Sequence, residues 1–157
     1  MRFIFIVLTV LFSAQFSFAQ TTEADPEIVG RNITDEAVSK GVASYYHDKF
    51  VGRPTSTGEI FSNDKFTAAS NTLSLNTYVK VTNLSNGKYL YVRINDRMSK
   101  NNKRLIDMAS VCAKKLGYHN QGLAKVKVEI VSEDEGMQGI LAQRQAAAAE
   151  AEQVNEM

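Results

Sequence analysis

The chain is 157 residues long and 44% hydrophobic, with 18 Lys and Arg against 17 Asp and Glu and a formal net charge of +1. That size suits one domain with a modest core and leaves no room for a second. The single cysteine, Cys112, excludes an internal disulfide, and no nucleotide loop or nucleic-acid recognition motif is present.

Residues 1–19 read as a cleavable signal peptide. Arg2 gives a basic start, Phe3 to Phe12 is apolar apart from Thr9, and Ser17-Phe18-Ala19 has the small-x-small pattern of a cleavage site. The apolar run is about half the roughly 20 residues a membrane span needs, so no stable membrane anchor is expected. Lipidation requires a cysteine at the cleavage point, and Cys112 lies far from it. The expected product starts at Gln20, is soluble, and works in the periplasm or outside the cell.

Beyond that point the charge is unevenly divided. Residues 20–39 hold one Arg against five acids, residues 40–131 hold fifteen Lys and Arg against six acids, and residues 132–157 hold one Arg against six. A basic core between acidic ends fits a polyanionic or carboxylate-bearing partner; a solvated surface balanced by its own tails fits equally well. The stretch 20–39, polar and without sustained periodicity, reads as a linker. A folded domain is expected over 40–132 and an acidic, alanine-rich tail over 133–157. The tail composition favours a frayed or partly disordered helix with too little large apolar surface to pack firmly, and docking to a protein partner is the alternative.

Within the domain the pattern is that of strands. Gly41 to Tyr46 reads as an early one. Val79 and Val81 alternate with Tyr78, Lys80 and Thr82, and Leu90, Val92 and Ile94 alternate with Tyr89, Tyr91 and Arg93. Asn86-Gly87 between the two runs predicts a hairpin with a type I′ turn. Ala124, Val126, Val128 and Ile130 alternate with charged residues in a late strand. One helix interrupts the series, with Asp107 as its expected N-cap, Met108, Val111, Cys112 and Leu116 on one face, and Gly117 as its stop. Cys112 reads as a small buried hydrophobe. Many short strands, one short helix and glycine-rich turns predict a small closed barrel.

Specific residues narrow this further. Ala43-Ser44-Tyr45-Tyr46, Gly52-Arg53, Gly58-Glu59, Thr67-Ala68-Ala69, Val81-Thr82-Asn83-Leu84, Asn86-Gly87-Lys88, Val92 to Arg97, Arg104 and Ile106-Asp107 occur in an order and spacing that resemble the rare lipoprotein A (RlpA)-like family. The resemblance implies a mainly β fold, a six-stranded double-psi β-barrel with one short α-helix. It also implies lytic transglycosylase chemistry: cleavage of the MurNAc–GlcNAc β-1,4 bond of peptidoglycan glycan strands with closure of a 1,6-anhydro ring. Because the attacking C6 hydroxyl belongs to the sugar, one carboxyl can serve as acid and then base.

The position matching the family's acid is Asp96, expected at a strand end beside a groove, with an ion pair to Arg97 or Arg104, or a cap on the following turn, as the plain structural alternatives. Glu59 is the second matched acid, able to hold substrate or tune Asp96, or simply to hydrogen-bond the barrel. The family's histidine after Thr67-Ala68-Ala69 is replaced by Ser70, which can hydrogen-bond but carries no charge near neutral pH. The resemblance therefore leaves two functions open, an enzyme using Asp96 with Glu59 and Ser70 assisting, or a glycan-binding barrel that cuts weakly or not at all. Tyr45, Tyr46 and Arg97 are the expected substrate contacts. His47 could approach a groove but reads first as a surface or sugar-stacking neighbour, and His119 is expected in solvent. No cofactor is implied, and the two unpaired histidines imply no metal.

Overall fold

The computed structural model describes residues 38–155; the expected signal peptide and most of the linker lie outside the described residues. Six strands, β1 (Val38–Tyr45), β2 (Thr67–Ala69), β3 (Tyr78–Asn83), β4 (Tyr89–Asp96), β5 (Ile106–Met108) and β6 (Ala124–Val131), close into a barrel in the order β1-β5-β2-β4-β3-β6. Two pairs are parallel, β1 with β5 and β2 with β4, and the other contacts are antiparallel. This is the six-stranded double-psi barrel. Helix α1 (Ser110–Leu116) follows β5, and α2 (Glu133–Asn155) follows β6.

Alternation fixes which side chains fill the interior. Val79 and Val81 of β3, Val92 and Ile94 of β4, and Val126 and Val128 of β6 are at most 1% exposed. Ala43, Ile106 and Met108 join them from the parallel pair, and Leu116 and Cys112 of α1 seal one end. Burial raises the Cys112 thiol pKa, which suits packing rather than reactivity.

The hairpin forms, but its turn is not type I′. Gly87 has φ +73° while Asn86 does not have positive φ, and Asn83 N–H donates to Lys88 O across a four-residue loop. Asn86 is used elsewhere. Its Nδ2 donates to Leu116 O at 2.9 Å, and Asn83 Nδ2 reaches the same carbonyl at 3.0 Å, so the loop caps the end of α1. At the other end of that helix the expected cap is also displaced. The helix begins at Ser110, and the amide of Ser110 donates to Asn63 Oδ1, 2.9 Å away on a distant loop. Asp107 belongs to β5 instead.

The tail departs most from expectation. α2 runs 23 residues without a break and packs on β3 and β4. Two glycines make this possible, since a Cβ at Gly136 would collide with the ring of Tyr78 and one at Gly139 with the ring of Tyr91. Ring-to-backbone contact replaces the large apolar stripe that the tail lacks. Gln143 completes the dock: its Oε1 accepts from Tyr91 N–H at 2.6 Å and its Nε2 donates to Tyr91 O at 2.9 Å. β2 pairs with β4 only from Arg93 onward. The Gln143 amide thus satisfies the strand edge that β2 is too short to reach.

Candidate active site

Asp96 is the last residue of β4, where a register shift between Ala68 and Ala69 of β2 bends the pairing. Its carboxylate lines a cavity of about 420 Å³ together with Tyr45, Tyr46, His47, Arg97, Arg104 and Asp107, among others. The two oxygens are held differently. Oδ1 accepts from the amides of Ser56 (2.9 Å) and Arg97 (2.8 Å) and from Ser56 Oγ (2.8 Å). Oδ2 accepts from the Tyr46 hydroxyl at 3.1 Å. Neither of the expected ion pairs forms, because Arg97 and Arg104 bind elsewhere.

Tyr46 is fixed by aromatic neighbours, with ring centroids 5.5 Å from Phe50 and 4.8 Å from Phe61. Burial, reinforced by the Asp96 charge, pushes its hydroxyl pKa up, so it remains a neutral donor. Tyr45 presents the other aromatic wall. His119 stacks on it at 4.5 Å with 19° between the planes, and Tyr45 Oη donates to His119 O. The expectation of a solvated His119 is thereby corrected: a flat aromatic partner holds the loop after α1 against the barrel.

Arg97 extends from the turn after Asp96, and its Nη1 donates to the carbonyls of Ser70 and Leu73. Ser70 is fully buried. Its hydroxyl donates to Leu105 O at 2.9 Å and accepts from the amides of Thr72 and Leu73, while its own N–H donates to Asp96 O at 3.2 Å. Ser70 therefore ties down backbone behind the cleft and is not among the residues lining it.

Glu59 lines a different cavity, beside α2. Its carboxylate accepts from Arg93 Nη2 at 2.5 Å and from Asn95 Nδ2 at 3.0 Å. Those two hydrogen bonds, Arg93 first, lower its pKa below the ordinary value of 4.5. The Glu59 carboxylate reaches the Asp96 end of β4 through Asn95.

Several residues of the cleft escaped the sequence reading, among them Ser56 and Asn102, and one was assigned another role. Asp107, taken as a helix cap, lines the cavity from β5. Arg104 grips it through both oxygens, at 2.7 and 2.9 Å, with Ser44 Oγ at 2.6 Å and Asn102 Nδ2 at 3.1 Å. The Arg104-x-x-Asp107 spacing was the signal, but an Asp before an apolar helical run reads more readily as a cap.

The fold is a double-psi barrel with a carboxylate at the mouth of an aromatic and cationic cleft. The lytic transglycolase family model matches residues 38–128, and the chain belongs to that family, the RlpA-like double-psi barrels. It is 46% identical over 92 residues to the endolytic peptidoglycan transglycosylase RlpA of Haemophilus influenzae, covering 59% of this chain and 32% of that one. It is 51% identical over 89 residues to the protein of the same name from Pseudomonas aeruginosa, covering 57% and 26%. The chain thus spans about a third or less of these two relatives. Among solved structures, the apo expansin of Clavibacter michiganensis shares the fold with a TM-score of 0.50 and 17% identity, over 61% of this chain and 51% of that one.

Proposed function

We propose that this chain is an exported endolytic lytic transglycosylase domain that cleaves the MurNAc–GlcNAc β-1,4 bond of peptidoglycan and leaves 1,6-anhydro-MurNAc ends. The carrying observation is the asymmetric grip on Asp96. Oδ1 faces two backbone amides, which only donate, together with the Ser56 hydroxyl, whereas Oδ2 faces the Tyr46 hydroxyl alone, which can donate or accept. A proton on Oδ2 can therefore be accommodated by a rotation of the Tyr46 hydroxyl, with Oδ1 still held.

The chemistry follows from that arrangement. Protonated Asp96 gives its Oδ2 proton to the glycosidic oxygen as the bond from C1 to the leaving sugar breaks. The C6 hydroxyl of the same MurNAc attacks C1, and Asp96, now a carboxylate, takes the hydroxyl proton. No water is consumed and the acid is regenerated. Tyr45 and Tyr46 supply faces for sugar rings, and Arg97 supplies a cation at the rim. Ser70 and Glu59 act as positioning residues: the first holds the Asp96 carbonyl and the Arg97 loop, the second holds Asn95 and Arg93. The relatives named as transglycosylases support cutting over binding alone.

The test is mass spectrometry of isolated sacculi, and of glycan strands stripped of peptide, after incubation with the protein. Anhydro-muramyl products are expected from the natural chain and none above background from Asp96→Asn. Binding without products in both would overturn the enzymatic reading.

A further inference from the structure

A second cavity, of about 520 Å³, opens where α2 crosses the barrel. The family match ends at residue 128, so the α2 wall of this cavity is an addition to the matched domain. Its volume lies within the usual range for small-ligand sites.

The lining combines three kinds of group. Lys65, Arg93 and Arg144 stand against one carboxylate, Glu59, so the cavity is net positive. Among the described residues, Arg93 alone of these three cations forms an ion pair, and its partner is Glu59. Apolar surface comes from both sides, with Phe66 and Tyr78 on the barrel and Met137 and Leu141 on α2. Met137 and Leu141 are 52% and 56% exposed. Finally, Glu59 is an acceptor and the Gln138 amide is both donor and acceptor. A simple fatty acid would meet the cations and the apolar wall but would bring no N–H for those acceptors.

We propose that this cavity binds a short peptide with free carboxylates and small apolar side chains, the chemistry that the stem peptides of peptidoglycan present. Lys65 and Arg144 take the carboxylates, Met137, Leu141 and Tyr78 take the apolar groups, and Glu59 with Gln138 pairs the amides. The choice of stem peptide rests on the wall-polymer reading above, and the charge and hydrogen-bond match does not. In this arrangement α2 converts a glycan-handling barrel into one that also senses peptide on the strand.

Calorimetric titration of the full chain with a free stem tetrapeptide, with decanoate and with inorganic phosphate tests this, with the methyl resonances of Met137 and Leu141 locating the site. The tetrapeptide is expected to bind and to shift both resonances. Arg144→Glu and Lys65→Glu, at exposed positions that leave the circular dichroism unchanged, are each expected to weaken binding about tenfold or more. No binding of the tetrapeptide, binding that ignores both charge reversals, or binding of decanoate or phosphate instead of the peptide would overturn the proposal. Peptide binding without glycan cleavage would sink the enzymatic reading and leave the pocket standing; cleavage without peptide binding would do the reverse.

Discussion

Asp96 and Asp107 line one cavity, yet the barrel treats them in opposite ways. Asp107 is buried on β5, and Arg104 binds both of its oxygens while Ser44 and Asn102 add neutral donors. Asp96 is half-buried at a strand end, has no cationic partner among the described residues, and keeps one oxygen against a hydroxyl alone. Two carboxylates of the same type are thus divided into one that holds the wall of the cleft and one that, in the proposed function, exchanges a proton. The guanidinium makes the difference: a permanent cation grips both oxygens of Asp107, whereas the donors on Asp96 are neutral amides and hydroxyls.

The sharpest way to break this comparison is to substitute each aspartate in turn. Asp96→Asn keeps the acceptor for the two amides and a donor for Tyr46, so the fold is expected to survive while glycan cleavage falls by about 10²-fold to 10⁴-fold, the range for loss of a general acid and base. Asp107→Ala is expected to act in the other direction, on stability first. It strands Arg104 and leaves Ser44 without its partner, at a cost of about 2–3 kcal/mol, less than for a fully buried pair because Arg104 is 40% exposed. Thermal unfolding and turnover measured on both variants check the division. An Asp107 variant that unfolds normally but cannot cut would make it a second participant in the chemistry.

Tyr46→Phe sharpens the same contrast at smaller scale. Removing the hydroxyl leaves Oδ2 without its partner and leaves the ring packing on Phe50 and Phe61 intact. Turnover is expected to drop about tenfold, in keeping with one hydrogen bond of 1–1.5 kcal/mol, with little change in melting temperature. The pH profile is expected to change shape in this variant, and it should not for a residue that only binds sugar.

How much of this was legible follows from the range over which each feature is determined. The hairpin, the late strand and the buried Cys112 rest on alternation and local composition, and they emerged from the sequence. β2 and β5 are three residues each, too short for any period to show. The Asp107 cap was misread because the cap is supplied by Asn63, whose approach no local pattern encodes. The firm docking of α2 was missed for a related reason: Gly136 and Gly139 weaken a helix by propensity, and their value appears only when Tyr78 and Tyr91 lie beneath them. Asp96, Tyr45, Tyr46 and Arg97 line one cavity. Ser70 and Glu59 do not line it, since one is turned into the barrel and the other toward α2.

Glu59 falls between the two aspartates, and its pH response locates it on that scale. Its side chain is 38% exposed and its pKa is lowered by the Arg93 and Asn95 hydrogen bonds. A lowered folded-state value means that the ion pair contributes fully above the ordinary value of 4.5 and that the contribution is lost as pH falls through the lower folded value. Glu59→Gln retains the acceptor for Asn95 and removes the charge. The stability difference between natural chain and variant is expected to be below about 1 kcal/mol at pH 7, because solvent screens a pair this exposed, and to vanish in acid. Urea unfolding at a series of pH values measures it. A difference that persists unchanged at pH 3 would mean that Glu59 acts through shape and hydrogen bonding alone, which would place it with the wall of the barrel rather than with its charges.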